Sequence, residues 1–414
     1  MEQVCPGASV VCLAVFGRTS FIGGHLMLLF DKVRVTCSER SQFYIEAGDP
    51  SVSRFNCESY VLFPGFCDVH VHFREPGFSY KETIKTGTLA AAHGGYSAVC
   101  TMPNLNPVPD CRDNLAPQLE LIHRDASVAV FPYGSITKGE AGKQLSDLEE
   151  LAEHVIAFSD DGFGVKDGSL MREAMVRAKK LGMLIAGHCE DIRYDSPRER
   201  EWREIERNIS LADETGCAFH VCHISTAESV FLIREAKKSR IDVSCETAPH
   251  YLVLDDSMLS DDGRFKMNPP IHSKRDREAL LDALCDGTVD MIATDHAPHA
   301  ASEKAGGFRK SLNGVVGLET AFPVLYSQLV KPGVLSLDYL ISLLTERPRK
   351  RFGIPLGNDF SVWDLGSEER INPASFLSLG KSTPFDGWQL NGKCLLTVFQ
   401  GNVIWEENKN GKTN

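Results

Sequence analysis

Long apolar runs are missing from this sequence: no stretch approaches the ~20 consecutive apolar residues that a bilayer-spanning helix needs. Blocks of lysine and arginine are missing too. Acidic residues outnumber basic ones, 56 to 44, for a net charge of −12. Nucleic acid and anionic membrane surfaces are therefore not expected partners. A small anion is still admissible, because its site needs only one or two local cations. The opening run, MEQVCPGASVVCLAVFG, has no basic leader and only a short apolar core. No signal peptide is expected, and the cytoplasm is the expected location. There is no low-complexity tract and no short repeat. Cysteine is not scarce, but its count of 13 is odd, and Cys100, Cys189, Cys222 and Cys245 sit in or beside apolar runs. Free buried thiols in a reducing compartment are expected, not a disulfide framework.

What is present is a regular alternation. The 414 residues, 43% of them hydrophobic, can fill one large α/β barrel plus a small appendage. Between about residues 60 and 300, eight apolar, β-rich runs recur: VLFPGFCDVHVHF, YSAVCTM, VAVFPYGSI, VIAFSDDG, MLIAGHCED, AFHVCHIST, DVSCETAPHYL and VDMIATDHAPH. Near-continuous apolar runs suit strands buried on both faces of a parallel sheet. Helix-like runs separate them. In SLMREAMVRAKKLG, Ser169 is the expected cap, Leu170, Ala174, Ala178 and Leu181 the expected stripe, and Gly182 the stop. KETIKTGTLAAAHGG and STAESVFLIREAKKS read the same way. Eight such units predict an α/β fold, a (β/α)8 TIM-type barrel over residues 64–354. The β-rich runs LMLLFDKVRVTC, QFYIEAG and CLLTVFQGNVIWEE lie outside the repeat. They predict a small antiparallel β domain composed of residues 1–63 and 355–414, with linkers near Pro64 and Pro355. Residues 300–316 lack periodicity and are expected to arch over the barrel mouth.

Nearly every strand candidate ends in polar residues: His70 and His72, Asn104, Asp160 and Asp161, His188, His223, His250, and Asp295 with His299. In such a barrel the active site is built at those C-terminal strand ends. Residues i and i+2 of a strand point the same way, so His70 and His72 project together, with Arg74 following if the strand continues. Alone, that pair fits a hydrogen-bonded core pair as well as a metal site. Together with His188, His223, Asp295 and the two strand-four aspartates it points to one or two divalent cations, because buried histidine and aspartate need partners. Zinc brings the pKa of water towards ~7, which makes hydrolysis or condensation at a carbonyl the expected chemistry. Asp295 suits a double role as ligand and general base.

Taken in order, DVHVHFREPG, MPN, GHCED, HVCHIST, ETAPHYL, KMNPP, ATDHAPH and TPFDGW resemble the dihydroorotases of the amidohydrolase superfamily, over about residues 63–388. The resemblance implies a zinc-dependent barrel with a small β domain from both chain ends. It implies interconversion of N-carbamoyl-L-aspartate and L-dihydroorotate in pyrimidine synthesis, with one or two Zn²⁺ per chain. By that resemblance His70, His72, His188 and His223 are zinc ligands, and Asp295 is both ligand and general acid/base. Arg74 and Asn104 hold the substrate carboxylate, a role the guanidinium fork suits. Asn268 and His299 add substrate contacts, and the backbone at Asn313 and Gly314 faces the ring. Many superfamily members bridge two metals with a carboxylated lysine on strand four. Here AFSDDGFG offers no lysine, which matches a subgroup with aspartate in that place, so Asp161 is the expected ligand and Lys166 is not. Asp160 is expected to serve a helix cap or a turn, His250 and His220 to be structural, and Lys304, Arg309 and Lys310 to form a solvated loop face that could also attract an anionic substrate. Glu190 and Asp191 either orient His188 or cap the next helix. A homodimer is the expected assembly, with association with aspartate transcarbamoylase a further expectation. Two alternatives differ in what they need. A hydantoinase- or allantoinase-like amidase needs no carboxylate clamp, and a non-catalytic partner of the transcarbamoylase would lose metal ligands.

Overall fold

The computed structural model describes the backbone of residues 29–35, 42–44 and 54–56, and residues 60–407 in full. Four strands precede the barrel: β1 (Leu29–Val35), β2 (Gln42–Tyr44), β3 (Arg54–Asn56) and β4 (Tyr60–Pro64). Seven more belong to the barrel: β5 (Phe66–Val71), β6 (Tyr96–Thr101), β7 (Ala129–Pro132), β8 (Ile185–Gly187), β9 (Phe219–Val221), β10 (Val243–Thr247) and β11 (Met291–Ile292). All their pairings are parallel. The fourth of the eight expected strands is reduced to one residue, Phe158, which bridges Gly134 on one side and Ile185 on the other. The chain turns away at once because the Asp160 carboxylate accepts the backbone N–H groups of Ile136 and Thr137. Asp160 is thus a turn residue. The eighth strand is two residues long, yet the ring still closes, through a parallel bridge from His296 to Val71 and a hydrogen bond from His72 N to His296 O of 2.8 Å.

Two apolar clusters separate inside from outside. The larger lies between strands and helices. The smaller gathers Cys67, Val69, Ala98, Cys100, Tyr133, Ala157, Ala186, Cys222 and Ala293 with Phe352 and Ile354, and fills the barrel interior. Strand β10 contributes no apolar side chain to that interior. It carries buried Ser244 and Glu246 instead, facing buried His220. The nine described cysteines are all free thiols.

The helices form where their periodicity puts them, with one difference in detail. The helix Gly168–Leu181 is capped by Asp167, whose carboxylate accepts from Ser169 N and Leu170 N, and not by Ser169. Its buried face holds the expected Ala174 and Ala178 together with Met171 and Met175, the expected Leu170 and Leu181 pack half-buried at its edge, and Gly182 in the left-handed region ends it as predicted. Residues 301–310 are not irregular: they form two one-turn helices, Ala301–Lys304 and Gly307–Lys310. Among the described residues no helix is long and apolar enough to cross a membrane.

After the barrel come β12 (Phe360–Arg370), β13 (Gln389–Phe399) and β14 (Asn402–Glu406). They join the first four strands in one seven-stranded sheet, ordered β14-β13-β12-β4-β1-β2, with β3 also on β1. The sheet is mixed, because β1 pairs in parallel with β3 and β4. Trp363 of β12 packs on Phe66 of the first barrel strand and on Phe322, with ring centroids 5.7 and 4.3 Å apart, which locks sheet to barrel.

Candidate active site and metal centre

Parallel pairing brings the strand ends to one mouth, and there six buried side chains meet. His70 Nε2 lies 3.3 Å from Asp161 Oδ1 and 3.6 Å from Asp295 Oδ1. His72 Nε2 lies 3.2 Å from Asp295 Oδ1 and 3.5 Å from Asp161 Oδ2. His188 Nδ1 and His223 Nε2 approach Asp161 Oδ1 to 3.9 and 3.8 Å. Asp161 is the hub: it belongs both to a triad with His70 and His72 and to one with His188 and His223, each with its donor atoms within 4.8 Å of one another.

These residues fit a cation. His70 Nε2 and Asp161 Oδ1, 3.3 Å apart, are buried and have no hydrogen-bond partner. Leaving such groups unsatisfied is costly, and a metal held between them removes the cost at once. The donor set, imidazole nitrogen with carboxylate oxygen, suits zinc and its divalent neighbours. A third triad, His70 with Cys222 and Glu246, is a poorer site. Burial pushes the Cys222 thiol up to about 12, so it stays protonated, and Glu246 is already engaged.

Two residues that the sequence reading passed over hold the first strand in place. Glu246 receives His70 Nδ1 at 2.7 Å and His220 Nε2 at 3.2 Å, and His220 Nδ1 reaches Ser244 Oγ at 2.8 Å. This chain fixes the His70 ring with Nε2 towards Asp161. Asp68 accepts from His70 N and Thr294 N, tying the first strand to the eighth. Both were detectable as carboxylates inside apolar strands. Among the residues that were anticipated, Asn104 turns its Oδ1 to His72 Nδ1 at 2.9 Å and its Nδ2 to Asp161 at 3.4 Å. Glu190 accepts from Asn268 Nδ2 at 2.9 Å and lies 3.4 Å from His188 Nε2, so it orients that ring, whereas Asp191 is held by Arg193. His250 is buried beside Tyr251 with Nε2 unpartnered, and burial lowers it to about 4.

The rim lies on the other side. Strand β5 ends at Val71, so Arg74 does not continue its face; it sits in the left-handed region with φ 58°, and its Nε donates to Pro298 O at 3.3 Å. Among the described residues its two terminal amino groups carry no hydrogen bond, which leaves the fork free for an anion. His299 Nε2 donates to Asn313 O at 2.6 Å, and its Nδ1 lies 3.4 Å from Lys81 Nζ. Gly314 is buried against it; a Cβ there would come within 2.6 Å of Ala297 O and 3.1 Å of His299 Nε2. Lys166 is exposed, away from the ligands. Arg309 and Lys310 are exposed as expected, but Lys304 is not: it is buried and belongs to the interior of the rim.

The electrostatics favour a bound cation. Burial disfavours a charged His70, yet Asp161 and Glu246 on either side raise its pKa well above the ordinary value; the field that would hold a proton there equally holds a metal ion. Burial raises Asp161 and Asp295, but the surrounding histidines outweigh it and keep both carboxyls below the usual range. Three of the residues around the site, Arg74, His223 and Asp295, are non-glycine residues at positive φ (58°, 33° and 48°). Strain of this kind persists where the surrounding structure dictates it, as at functional sites.

Fold and site together define a cyclic-amide hydrolase of the amidohydrolase type, a parallel barrel with a candidate metal centre at its mouth. Solved structures agree on the fold. An L-hydantoinase (dihydropyrimidinase) from Arthrobacter aurescens superposes with a TM-score of 0.81 at 23% identity, covering 92% of this chain and 97% of its own. A dihydropyrimidinase from Brevibacillus agri gives 0.80 at 22%, covering 91% and 94%. The Dihydro-orotase-like family model matches residues 59–196. Dihydroorotases from Bacillus cereus and Bacillus anthracis are each 47% identical, over 84% of this chain and 87% of the relative. The chain belongs to the dihydroorotase family.

Proposed function

We propose that this chain interconverts N-carbamoyl-L-aspartate and L-dihydroorotate, with His70, His72, Asp161, His188, His223 and Asp295 holding one or two zinc ions. The single observation that carries the reading is the set of unpartnered, buried nitrogen and oxygen atoms around Asp161. Because Asp161 is shared by two triads, it would be a ligand common to two cations if both were held. When bound, zinc polarises the ring carbonyl and makes water a competent nucleophile near neutral pH. Asp295, held ionised and lying 3.2 Å from the proposed ligand atom His72 Nε2, takes the proton of the attacking water and returns it to the departing ring nitrogen. In the closing direction the same carboxylate takes a proton from the carbamoyl nitrogen as it attacks the carboxyl carbon, and gives that proton to the departing oxygen, which leaves as water.

Arg74 binds the substrate carboxylate with its free amino groups, and Asn104, already fixed by His72 and Asp161, donates its remaining N–H. Asn268 keeps Glu190 and His188 in place at the opposite wall. His299, with Arg74 beside it and burial lowering it to about 4, stays neutral, and the Asn313–Gly314 backbone it holds faces the ring. A carboxylate clamp is what separates this reading from a hydantoinase- or allantoinase-like one. The test is ring opening of L-dihydroorotate and of hydantoin by the zinc-loaded protein, followed by loss of absorbance. Turnover of dihydroorotate alone supports the reading, and turnover of hydantoin alone overturns it.

Three further readings stay with this proposal: homodimeric assembly, association with aspartate transcarbamoylase, and a cytoplasmic location. Sedimentation of the chain alone and mixed with the transcarbamoylase tests the first two. We also propose the division into residues 64–354 and a β domain of residues 1–63 with 355–414, which the pairing of β4 with β12 supports.

A further inference from the structure

Lys304 bonds to none of the candidate ligands, yet its buried ammonium makes three hydrogen bonds in the rim. Its Nζ donates to Gly314 O at 2.7 Å, Leu312 O at 2.8 Å and Lys266 O at 3.0 Å. The three carbonyls come from two separate segments. Leu312 and Gly314 belong to the arch whose backbone faces the proposed substrate ring. Lys266 lies two residues before Asn268, on the wall that steadies His188. No side chain other than lysine offers three donors on one point-like, slender head.

The surroundings are built for this group. Gly314 N donates to Lys266 O at 3.0 Å, joining the same two segments a second time. Leu312 N donates to Glu303 O at 3.0 Å, and Ser311 Oγ donates to Lys304 O at 2.9 Å. A Cβ on Gly263 would come within 2.2 Å of Lys304 O, so the neighbouring turn also closes tightly on this residue. Without the ammonium, three carbonyl oxygens would converge with only Gly314 N, on Lys266 O, left among them as a donor.

We propose that Lys304 is a positioning residue: its ammonium staples the 300–316 arch to the segment before Asn268, so that the Asn313–Gly314 backbone and the His299 it holds meet the substrate preformed. The arch is then a fixed wall of the pocket. This rests on the reading that Asn313 and Gly314 face the ring. The staple adds no charge to the reacting atoms, so its loss weakens substrate binding and leaves the chemical step nearly intact.

The experiment compares zinc-loaded wild type with Lys304→Met, a buried apolar replacement of similar length, and Lys304→Ala, which leaves room for an added amine. In Lys304→Met, KM for dihydroorotate is expected to rise about tenfold, the equivalent of one charged hydrogen bond, with kcat little changed. Amide hydrogen exchange over residues 305–316 is expected to speed up without change in the barrel strands. Propylammonium, which restores three donors, is expected to lower KM of Lys304→Ala, while tetramethylammonium, which has none, is not. Unchanged exchange in a folded Lys304→Met protein would overturn the staple. Faster exchange with unchanged KM would overturn the positioning role and, with it, the placing of Asn313 and Gly314 beside the ring. Were the wild type to open no dihydroorotate, the functional reading would fall on its own, and the exchange measurement would still decide whether Lys304 holds the arch.

Discussion

Replacing Glu246 with glutamine probes the support beneath the metal centre and leaves every proposed ligand in place. Glu246 is fully buried and receives His70 and His220 on its two oxygens. Burial alone would raise its pKa, but the charge of His70 and the hydrogen bonds from His220 and His70 bring it from 4.5 to about 2. That displacement corresponds to roughly 3 kcal/mol in favour of the carboxylate over the neutral acid. Glutamine keeps the volume but offers one acceptor where there were two. One ring therefore loses its partner and faces an N–H instead. If it is His70, the ring no longer holds its proton on Nδ1, and Nε2 ceases to be a dependable donor to metal. Loss of an outer carboxylate behind a ligating histidine costs ~10–100-fold in metal affinity, or about 1.4–2.7 kcal/mol, which stays within the interaction available. Competition titration of wild type and Glu246→Gln with a chromophoric chelator measures the difference, and circular dichroism shows that both proteins fold. Equal zinc affinities in two folded proteins would refute the argument that this carboxylate sets the His70 ring.

The other predictions concern the site itself. Asp295→Asn is expected to slow ring opening by ~10²–10⁴-fold; ring closure must fall by the same factor, since the equilibrium constant is unchanged, and assays in both directions check it. Arg74→Met is expected to raise KM for dihydroorotate by about 10–100-fold, the loss of a charged hydrogen-bonding fork, with a smaller change in kcat; steady-state kinetics decides. The hydrogen bond from His188 lowers Glu190 from 4.5 to about 2, ahead of the burial that opposes it. A depressed carboxyl adds stability that is complete above its unfolded pKa and fades as pH falls towards the folded value. Urea unfolding of the wild type is therefore expected to weaken more steeply below pH 4.5 than that of Glu190→Gln.

Much of this architecture is visible in the residues because its signals are local. Apolar strands alternating with amphipathic helices give the barrel, and the polar strand ends give the mouth, since parallel pairing puts like ends together. What escaped depends on partners distant in sequence. Glu246 reads as one acidic residue in VSCET until His70, 176 positions away, is set against it. Lys304 looks like part of a solvated face because its neighbours Glu303, Arg309 and Lys310 are charged; only the carbonyls of Lys266, Leu312 and Gly314 make it an interior group. Strand four shrinks to Phe158 because Asp160 bonds to the backbone of Ile136 and Thr137, beyond the end of strand three, which the run VIAFSDDG does not reveal. Asp167 displaces Ser169 as cap, two positions earlier than expected, by reaching two backbone N–H groups.

Graded removal of metal, with bound zinc and dihydroorotate turnover measured on the same samples, tests the central claim most directly. The expected result is turnover that falls in step with zinc, returns on its re-addition, and is lost with it when Asp161 becomes alanine. Full turnover by protein stripped of metal, or zinc retained undiminished by Asp161→Ala, would contradict the account.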